Sequence, residues 1–509
     1  MESTPFQTDR HLPSRMRVLY LTQEYAPLIA EGGLGLTSRA LPAAIQNRHG
    51  VEHVLVMPYY ARHMAARGAR STQIGELPAV TIGNRTCGAT LHRLVDNPGP
   101  CDVVLVRADE WYDRDGVYRD EHYVEHADAV ERAAFFGWCV ATWLRQSGEK
   151  FDIVHANDWQ SGAALAHVSR GRSGAEPRLL MNVHSGAYCG EVRPADLLRL
   201  GLHPSDILDL VRDGEPSLLL LGLLAADAAV TCSPTYAQEL VSAFAGRPIG
   251  RRLKEIGTTG IILGVDPEVW SPTAVGRSTE PYDTTTAVAG KSANKRQLQQ
   301  RCGLTEDPRV PVFGVCTRLV GVKGSDLLAE VFRNLAGPHT AQLVVMGPAE
   351  GPLRTEFIDL ARDKRGAVHY ATEFDQELAW LIYAGSDFTV MPSRVEPGGL
   401  NQLIAMAYGT IPIVSGVGGL MDTVTDIRDD ASGGTGFMLA ECTAEDLAQT
   451  VAHAVSWLTR SPEEVEAARA RCMASDWSWA STAAAFAQLY SDLVTAPLHR
   501  PHGTQSRQR

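Results

Sequence analysis

Short apolar runs rich in Val, Ile and Leu punctuate the chain, and longer stretches of helical period separate them. In the first half the runs are Val18–Thr22, His53–Met57, Asp102–Arg107, Ile153–His155, Leu179–Val183, Ala228–Thr231 and Gly260–Ile262. In the second half they are Val312–Cys316, Gln342–Met346, Ala367–Tyr370, Phe388–Pro392 and Ile411–Val414. Strands that are apolar on both faces and alternate with helices belong to parallel sheets covered on both sides. The pattern therefore predicts an α/β chain with two doubly wound, Rossmann-like domains. Between the two sets lies "DPEVWSPTAVGRSTEPYDTTTAVAGKSANK", polar and without period. The expected layout is a first domain over 16–270, a linker over 271–308, a second domain over 309–475, a last helix over 476–495 and a disordered tail over 496–509. In such folds ligands sit beyond the carboxyl ends of the strands, so two domains facing across a cleft would bring two sets of strand ends to one ligand.

Composition narrows the class. The 509 residues are 21% charged and 44% hydrophobic, as in folded soluble chains, and the net charge of -12 gives no general attraction to nucleic acid or anionic membrane. Nine cysteines are scattered without a CxxC pair, which fits reduced thiols in the cytoplasm and gives a zinc site no support. The amino-terminal "MESTPFQTDRHLPSR" lacks the pattern of a signal peptide, and "SLLLLGLLAADAAV" is too short to span a membrane.

Two regions carry candidate chemistry. After the first strand comes Ala30-Glu31-Gly32-Gly33-Leu34-Gly35, with a helix expected from about Thr37. Gly32 and Gly33 would let the backbone approach a phosphate at the helix start, yet Glu31 places a negative charge beside them. A tight turn alone would also account for the glycine pair. In the second half, Arg318 and Lys323 follow the strand Val312–Cys316, Gly347 ends the next strand, Phe374 sits in a loop, and Glu396-Pro397-Gly398-Gly399-Leu400 leads into a helix. Two cations suit a diphosphate, amide groups at Gly398–Leu400 add anion binding, Glu396 can accept from sugar hydroxyls, and Phe374 can stack on a base. Together these form a kit for a nucleotide-sugar.

The run "SRVEPGGLNQLIAMAYGTIPIVSGVGGLMDTV" resembles the EPCGL-type signature of starch and glycogen synthases, glycosyltransferases of family 5 with the two-domain GT-B fold. The resemblance continues in order through "DIVHANDWQSG", "VHSGAYCG", "TCSPTYAQEL", "GIILGVDPEVWSP", "VFGVCTRLVGVKGSDLL" and "DWSWASTAAAFAQLY", from Met16 to about Leu493. It implies that Arg318 and Lys323 hold the donor diphosphate, that Glu396 contacts the transferred sugar, that His184 lies beside the reacting centre, and that the last helix crosses back to the first domain. It also implies retaining chemistry without a protein nucleophile or a metal: the acceptor attacks the face from which the phosphate departs.

The sequence departs from the family mostly in its first half. Where the family has Lys-Thr-Gly-Gly-Leu-Ala-Asp, this chain has Ala30 in place of the lysine, Glu31 in place of the threonine and Leu36 in place of the acid. Asp158-Trp159-Gln160 stands for Asp-Trp-His, His184-Ser185 for His-Asn, Leu263 for an asparagine, Leu220 for a lysine, and Gly398 for the cysteine of EPCGL. Apart from Gly398, these changes fall in the first domain, on the acceptor side. They lead us to expect a nucleoside-diphosphate sugar or cyclitol donor and a small acceptor, an amino sugar by preference, in natural-product assembly, including pseudo-glycosyl transfer. The alternatives are an ADP-glucose-dependent glycogen synthase and an inactive homologue that binds nucleotide or glucan.

Overall fold

The computed structural model describes residues 16–497 apart from 98, 121–123, 173–176, 275 and 277–279. From residue 498 onward, the tail expected to be disordered lies outside the described residues. The chain divides into two compact units. One comprises residues up to Thr231, Ala237–Ile261 and the segment from Ala480; the other comprises Cys232–Tyr236 and Ile262–Trp479.

The first unit is built on nine strands: β1 Arg17–Leu21, β2 Glu52–Pro58, β3 Ser71–Ile82, β4 Arg85–Leu94, β5 Asp102–Arg107, β6 Ile153–Asn157, β7 Arg178–Val183, β8 Ala228–Thr231 and β9 Thr258–Gly260. Their order is β3-β4-β5-β2-β1-β6-β7-β8-β9. The central pairs are parallel, with Val18 opposite both His53 and Ile153. Only β3 runs antiparallel to β4, and β4 to β5. The carboxyl ends of β1 and β6, where the strand order reverses, carry the glycine turn and Asp158.

The second unit holds β10 Val312–Cys316, β11 Gln342–Met346, β12 Val368–Ala371, β13 Phe388–Met391, β14 Ile411–Ser415 and β15 Phe437–Leu439. All pairs are parallel, in the order β12-β11-β10-β13-β14-β15. The core is aromatic at its centre: Phe313 stacks on Phe388 at 5.3 Å and meets Phe332 edge-on at 5.1 Å. Here the order reverses between β10 and β13, so the ligand crevice predicted by doubly wound topology opens between their ends. Those ends lead to Arg318 and Lys323 on one side and to Glu396 on the other.

Several elements differ from the sequence reading, among them the short strand β15, which was not expected. The β3–β4 hairpin was not expected, and the first helix begins at Gly33 rather than Thr37. Part of the expected structureless linker is a helix, Ala287–Arg301, whose inner face is polar yet buried. Lys291 Nζ donates to the carbonyls of Tyr383, Ala384 and Tyr408 and to Thr410 Oγ1, while Lys295 donates to Asp387 at 2.7 Å. Asp387 also meets Arg469 and accepts from the Val312 amide, tying the helix to the edge of β10. Within the first unit, helix Trp479–Thr495 lays Phe486 against His155 at 5.8 Å, and the His155 ring meets the Tyr490 hydroxyl at 2.8 Å.

Candidate active site

Chain geometry at the end of β10 places the cations. Gly324 has φ +66, and a Cβ there would sit 1.9 Å from the Pro392 carbonyl, so the turn that carries Lys323 presses directly on the end of β13. Lys323 Nζ reaches both oxygens of Glu396, at 2.7 and 2.6 Å, and Ser393 donates to the same carboxylate at 3.1 Å. Glu396 is only 5% exposed, whereas the Lys323 side chain is 22% exposed. An ammonium has three donors. Two are spent on Glu396, which leaves one to turn towards a ligand.

Around this pair a small cavity is lined by Thr317, Ser325, Ser393 and Asn401. The Ser325 hydroxyl opens the helix Ser325–Leu335, is buried, and has no hydrogen-bond partner among the described residues. A buried hydroxyl without a partner at a helix start is matched to an oxyanion. Arg318 is exposed and makes no hydrogen bond or ion pair among the described residues. Phe374 is 62% exposed, open to a stacking partner.

The glycines of the kit are architectural. Gly347 has φ +142, and a Cβ would lie 2.0 Å from the Thr317 carbonyl, so it lets the ends of β10 and β11 close on each other. Gly398 packs against Cys232, whose Cβ is 3.0 Å from where a side chain would begin, and Pro397 O accepts from Ser233 at 2.7 Å. Gly399 is left-handed at φ +68. Leu400 precedes a seven-residue helix, Asn401–Ala407.

In the first unit, Asp158 adopts φ 54, a region that disfavours side chains. Its Oδ1 accepts from the His184 amide at 2.7 Å, and burial pushes its carboxyl above the ordinary aspartate range. The His184 ring in turn lies 2.8 Å from Asn157 Oδ1. Burial lowers the His184 imidazole, with Asp158 opposing the shift. Trp159 is buried under Gly190, where a Cβ would meet the indole at 2.3 Å. Gln160 is partly buried and its Oε1 has no partner among the described residues; Ser185 Oγ accepts from the Ala187 amide at 3.3 Å. Trp159 and Tyr188 line a cavity of about 290 Å³ whose polar lining includes Glu125, His126 and Glu191.

The glycine turn is not an open phosphate cradle. Glu24, buried and missed in the sequence reading, accepts from the amides of Glu31 and Gly32 at 2.7 and 3.1 Å and from the Tyr118 hydroxyl at 2.8 Å. Burial raises its carboxyl above the ordinary range. The Glu31 carboxylate accepts from the Val117 amide at 2.5 Å. Thus two acids clasp the segment 116–118 to the turn, and the Gly32 amide is already occupied. Leu36 is exposed, Leu220 is fully buried in a leucine-rich helix, and Leu263, expected on the acceptor side, is buried within the second unit. Glu24, Asn157 and Ser393 could be found in the sequence only as polar residues at or just past strand ends, and Ser325 only as the start of a helix. Among the described residues no group of three or more His, Cys, Asp or Glu is placed to hold a metal ion, and no helix is long and apolar enough to cross a membrane.

Comparison with known proteins bears on the family and the fold. The family model described as starch synthase catalytic domain matches residues 17–255, and that of glycosyl transferases group 1 matches residues 296–466. The chain is 34% identical over 490 residues to the glycogen synthase of Syntrophotalea carbinolica, covering 94% of this chain and 99% of that protein. It is 32% identical over 498 residues to that of Rhodospirillum rubrum, covering 96% and 100%. The catalytic domain of starch synthase IV from Arabidopsis thaliana, solved with ADP and acarbose, has a TM-score of 0.83 at 25% identity and covers 95% of this chain. Sucrose-phosphate synthase from Thermosynechococcus elongatus shares the fold at a TM-score of 0.58 and 18% identity. These relatives favour glucan synthesis over the natural-product transfer anticipated from the acceptor-side departures. Matched from end to end at 34% identity, the chain belongs to the starch and glycogen synthase family of GT-B glycosyltransferases.

Proposed function

We propose that the protein transfers a glucosyl unit from ADP-glucose to the end of an α-glucan with retention of configuration. The observation that carries this is end-to-end similarity to glycogen synthases combined with the Lys323–Glu396 pair beside the unpartnered Ser325 hydroxyl. In this reading residues 309–475 hold the donor and 16–270 the acceptor, with the helix 476–495 completing the acceptor side. Arg318, the remaining N–H of Lys323 and the Ser325 hydroxyl take the diphosphate oxygens; Glu396 accepts from a hydroxyl of the transferred ring; Phe374 stacks on the base. His184 serves the transferred ring from the first domain. The bond from the anomeric carbon to the leaving phosphate breaks, the acceptor oxygen bonds to the same face, and a phosphate oxygen takes the acceptor's proton. The protein contributes position and fixed charge, not a covalent intermediate.

A second reading is favoured by one observation. The cavity under Trp159 and Tyr188 has two carboxylates, Glu125 and Glu191, and no lysine or arginine among its described lining residues, and Glu31 adds a third acid to the same unit. That lining suits a small cationic acceptor, such as an amino sugar receiving a glycosyl or cyclitol unit. Labelled ADP-glucose offered with glycogen tests the first reading: label entering polymer supports it. ADP release with a small amine acceptor and no polymer labelling establishes the second.

A further inference from the structure

We propose that Asn157 is a positioning residue that holds His184 in the neutral tautomer protonated on Nε2. The role depends on the reading above, that His184 serves the transferred ring. Asn157 is fully buried at the end of β6, next to strained Asp158. Its amide cannot flip, because Nδ2 donates to the Leu21 carbonyl at 2.8 Å. Oδ1 is therefore the end that faces His184, and a carbonyl oxygen only accepts. Three donors converge on it: Tyr20 Oη at 3.2 Å, Asn182 Nδ2 at 3.2 Å and His184 Nε2 at 2.8 Å. The shortest of these requires the proton on Nε2. His184 then keeps Nδ1 as an acceptor in its neutral form.

The network runs further. Asn182 Nδ2 also lies 3.2 Å from His155 Nε2, which makes that nitrogen the acceptor and leaves His155 Nδ1 to donate to the Tyr490 hydroxyl. A chain of buried amides and rings thus joins the last helix to His184. Among the described residues the titratable groups around His184 include Asp158, whose carboxylate holds its amide, and His155, with His53 beyond it. Asp158 favours a charged His184. The amide of Asn157 adds no charge, so it fixes the proton's location and favours an imidazolium less than a carboxylate in its place would.

Two measurements on the full chain test this. Selective ¹⁵N-histidine labelling, with His184→Gln for assignment, reads the tautomer directly; we expect the wild-type signal of a ring protonated on Nε2 and neutral at pH 7. A wild-type ring protonated on Nδ1 would overturn the proposal whatever any variant does. In Asn157→Asp a carboxylate replaces the amide, and His184 should then titrate about one pH unit or more higher. The acidic limb of ADP release should move with it, which a purely structural role of Asn157 would not produce. If the variant folds and the His184 titration is unmoved, the lock is refuted. If the titration moves and the pH–rate profile stays, the lock stands and the role given to His184 falls instead.

Discussion

Lys323→Ala should cost both stability and turnover, and the two losses can be separated. In the wild type, Glu396 receives two bonds from Lys323 and one from Ser393 while nearly all of its surface is buried. Truncating the lysine leaves a buried carboxylate with a single hydroxyl partner. Breaking a fully buried pair costs about 3–5 kcal/mol. The lysine here is one-fifth exposed, so water reaches the vacated side and about 2–3 kcal/mol is the better expectation. For a unit of this size that lowers the melting temperature by roughly 5–10 °C. Glu396→Gln removes the charge that the lysine neutralises, so Lys323→Ala with Glu396→Gln should be more stable than Lys323→Ala alone, a coupling that a double-mutant cycle reads from denaturant midpoints. Turnover behaves differently: both variants lacking Lys323 should release ADP about 100-fold more slowly, because the phosphate loses its cation in either background. If Lys323→Ala melts like the wild type, or if Glu396→Gln restores its turnover, the assignment of the pair is wrong.

Other outcomes follow from the same geometry. Arg318→Ala should leave the melting temperature unchanged, since the side chain is exposed and unpaired among the described residues, while ADP release falls on the order of 100-fold; near-normal turnover would remove Arg318 from the site. Gly347→Ala should destabilise by at least about 1–3 kcal/mol, from backbone strain and a Cβ driven into the Thr317 carbonyl, and calorimetry showing no change would contradict the turn geometry. Acidification should weaken the first unit before the second. Burial pushes His53 and His167 down to about 4, and lowers His155 as well, so these rings bind protons in the unfolded chain between pH 6.5 and 4 but not in the folded one; stability is whole above 6.5 and drains as pH falls through that window. A urea midpoint for the first unit that stays flat over the window would refute this. Glucosyl transfer should survive excess chelator, because Arg318 and Lys323 offset the diphosphate; strict dependence on magnesium would refute that.

The sheets were legible because their strands are apolar on both faces, as at Leu19 and Val345, which have no exposed surface. The β3–β4 hairpin was not, because more than half of the residues of β3 face water and Pro78 lies where its pairing register shifts, between Leu77 and Val80. Helix Ala287–Arg301 escaped for a different reason. Beside Leu298 its large buried side chains are Lys291, Asn294, Lys295 and Gln299, polar groups satisfied by backbone carbonyls and Asp387, so no apolar stripe marks it. In the second domain Lys323 and Glu396, which the structure pairs, could be singled out because the strand ends that carry them lie beside glycine turns. The roles of Glu24 and Asn157 could not, because each acts on a partner brought near only by folding: Tyr118 and His184.

The embrace of His155 by the last helix has a consequence for how the protein is made. The hydroxyl that caps this ring belongs to a residue 335 positions later in the chain. A ribosome therefore delivers the whole second unit before it delivers the piece that closes the first. During synthesis the early sheet must wait with the slot for Phe486 and Tyr490 open, while the later unit has every strand it needs. The second unit is thus positioned to reach its native form first, and the first is sealed only as the final helix emerges and docks.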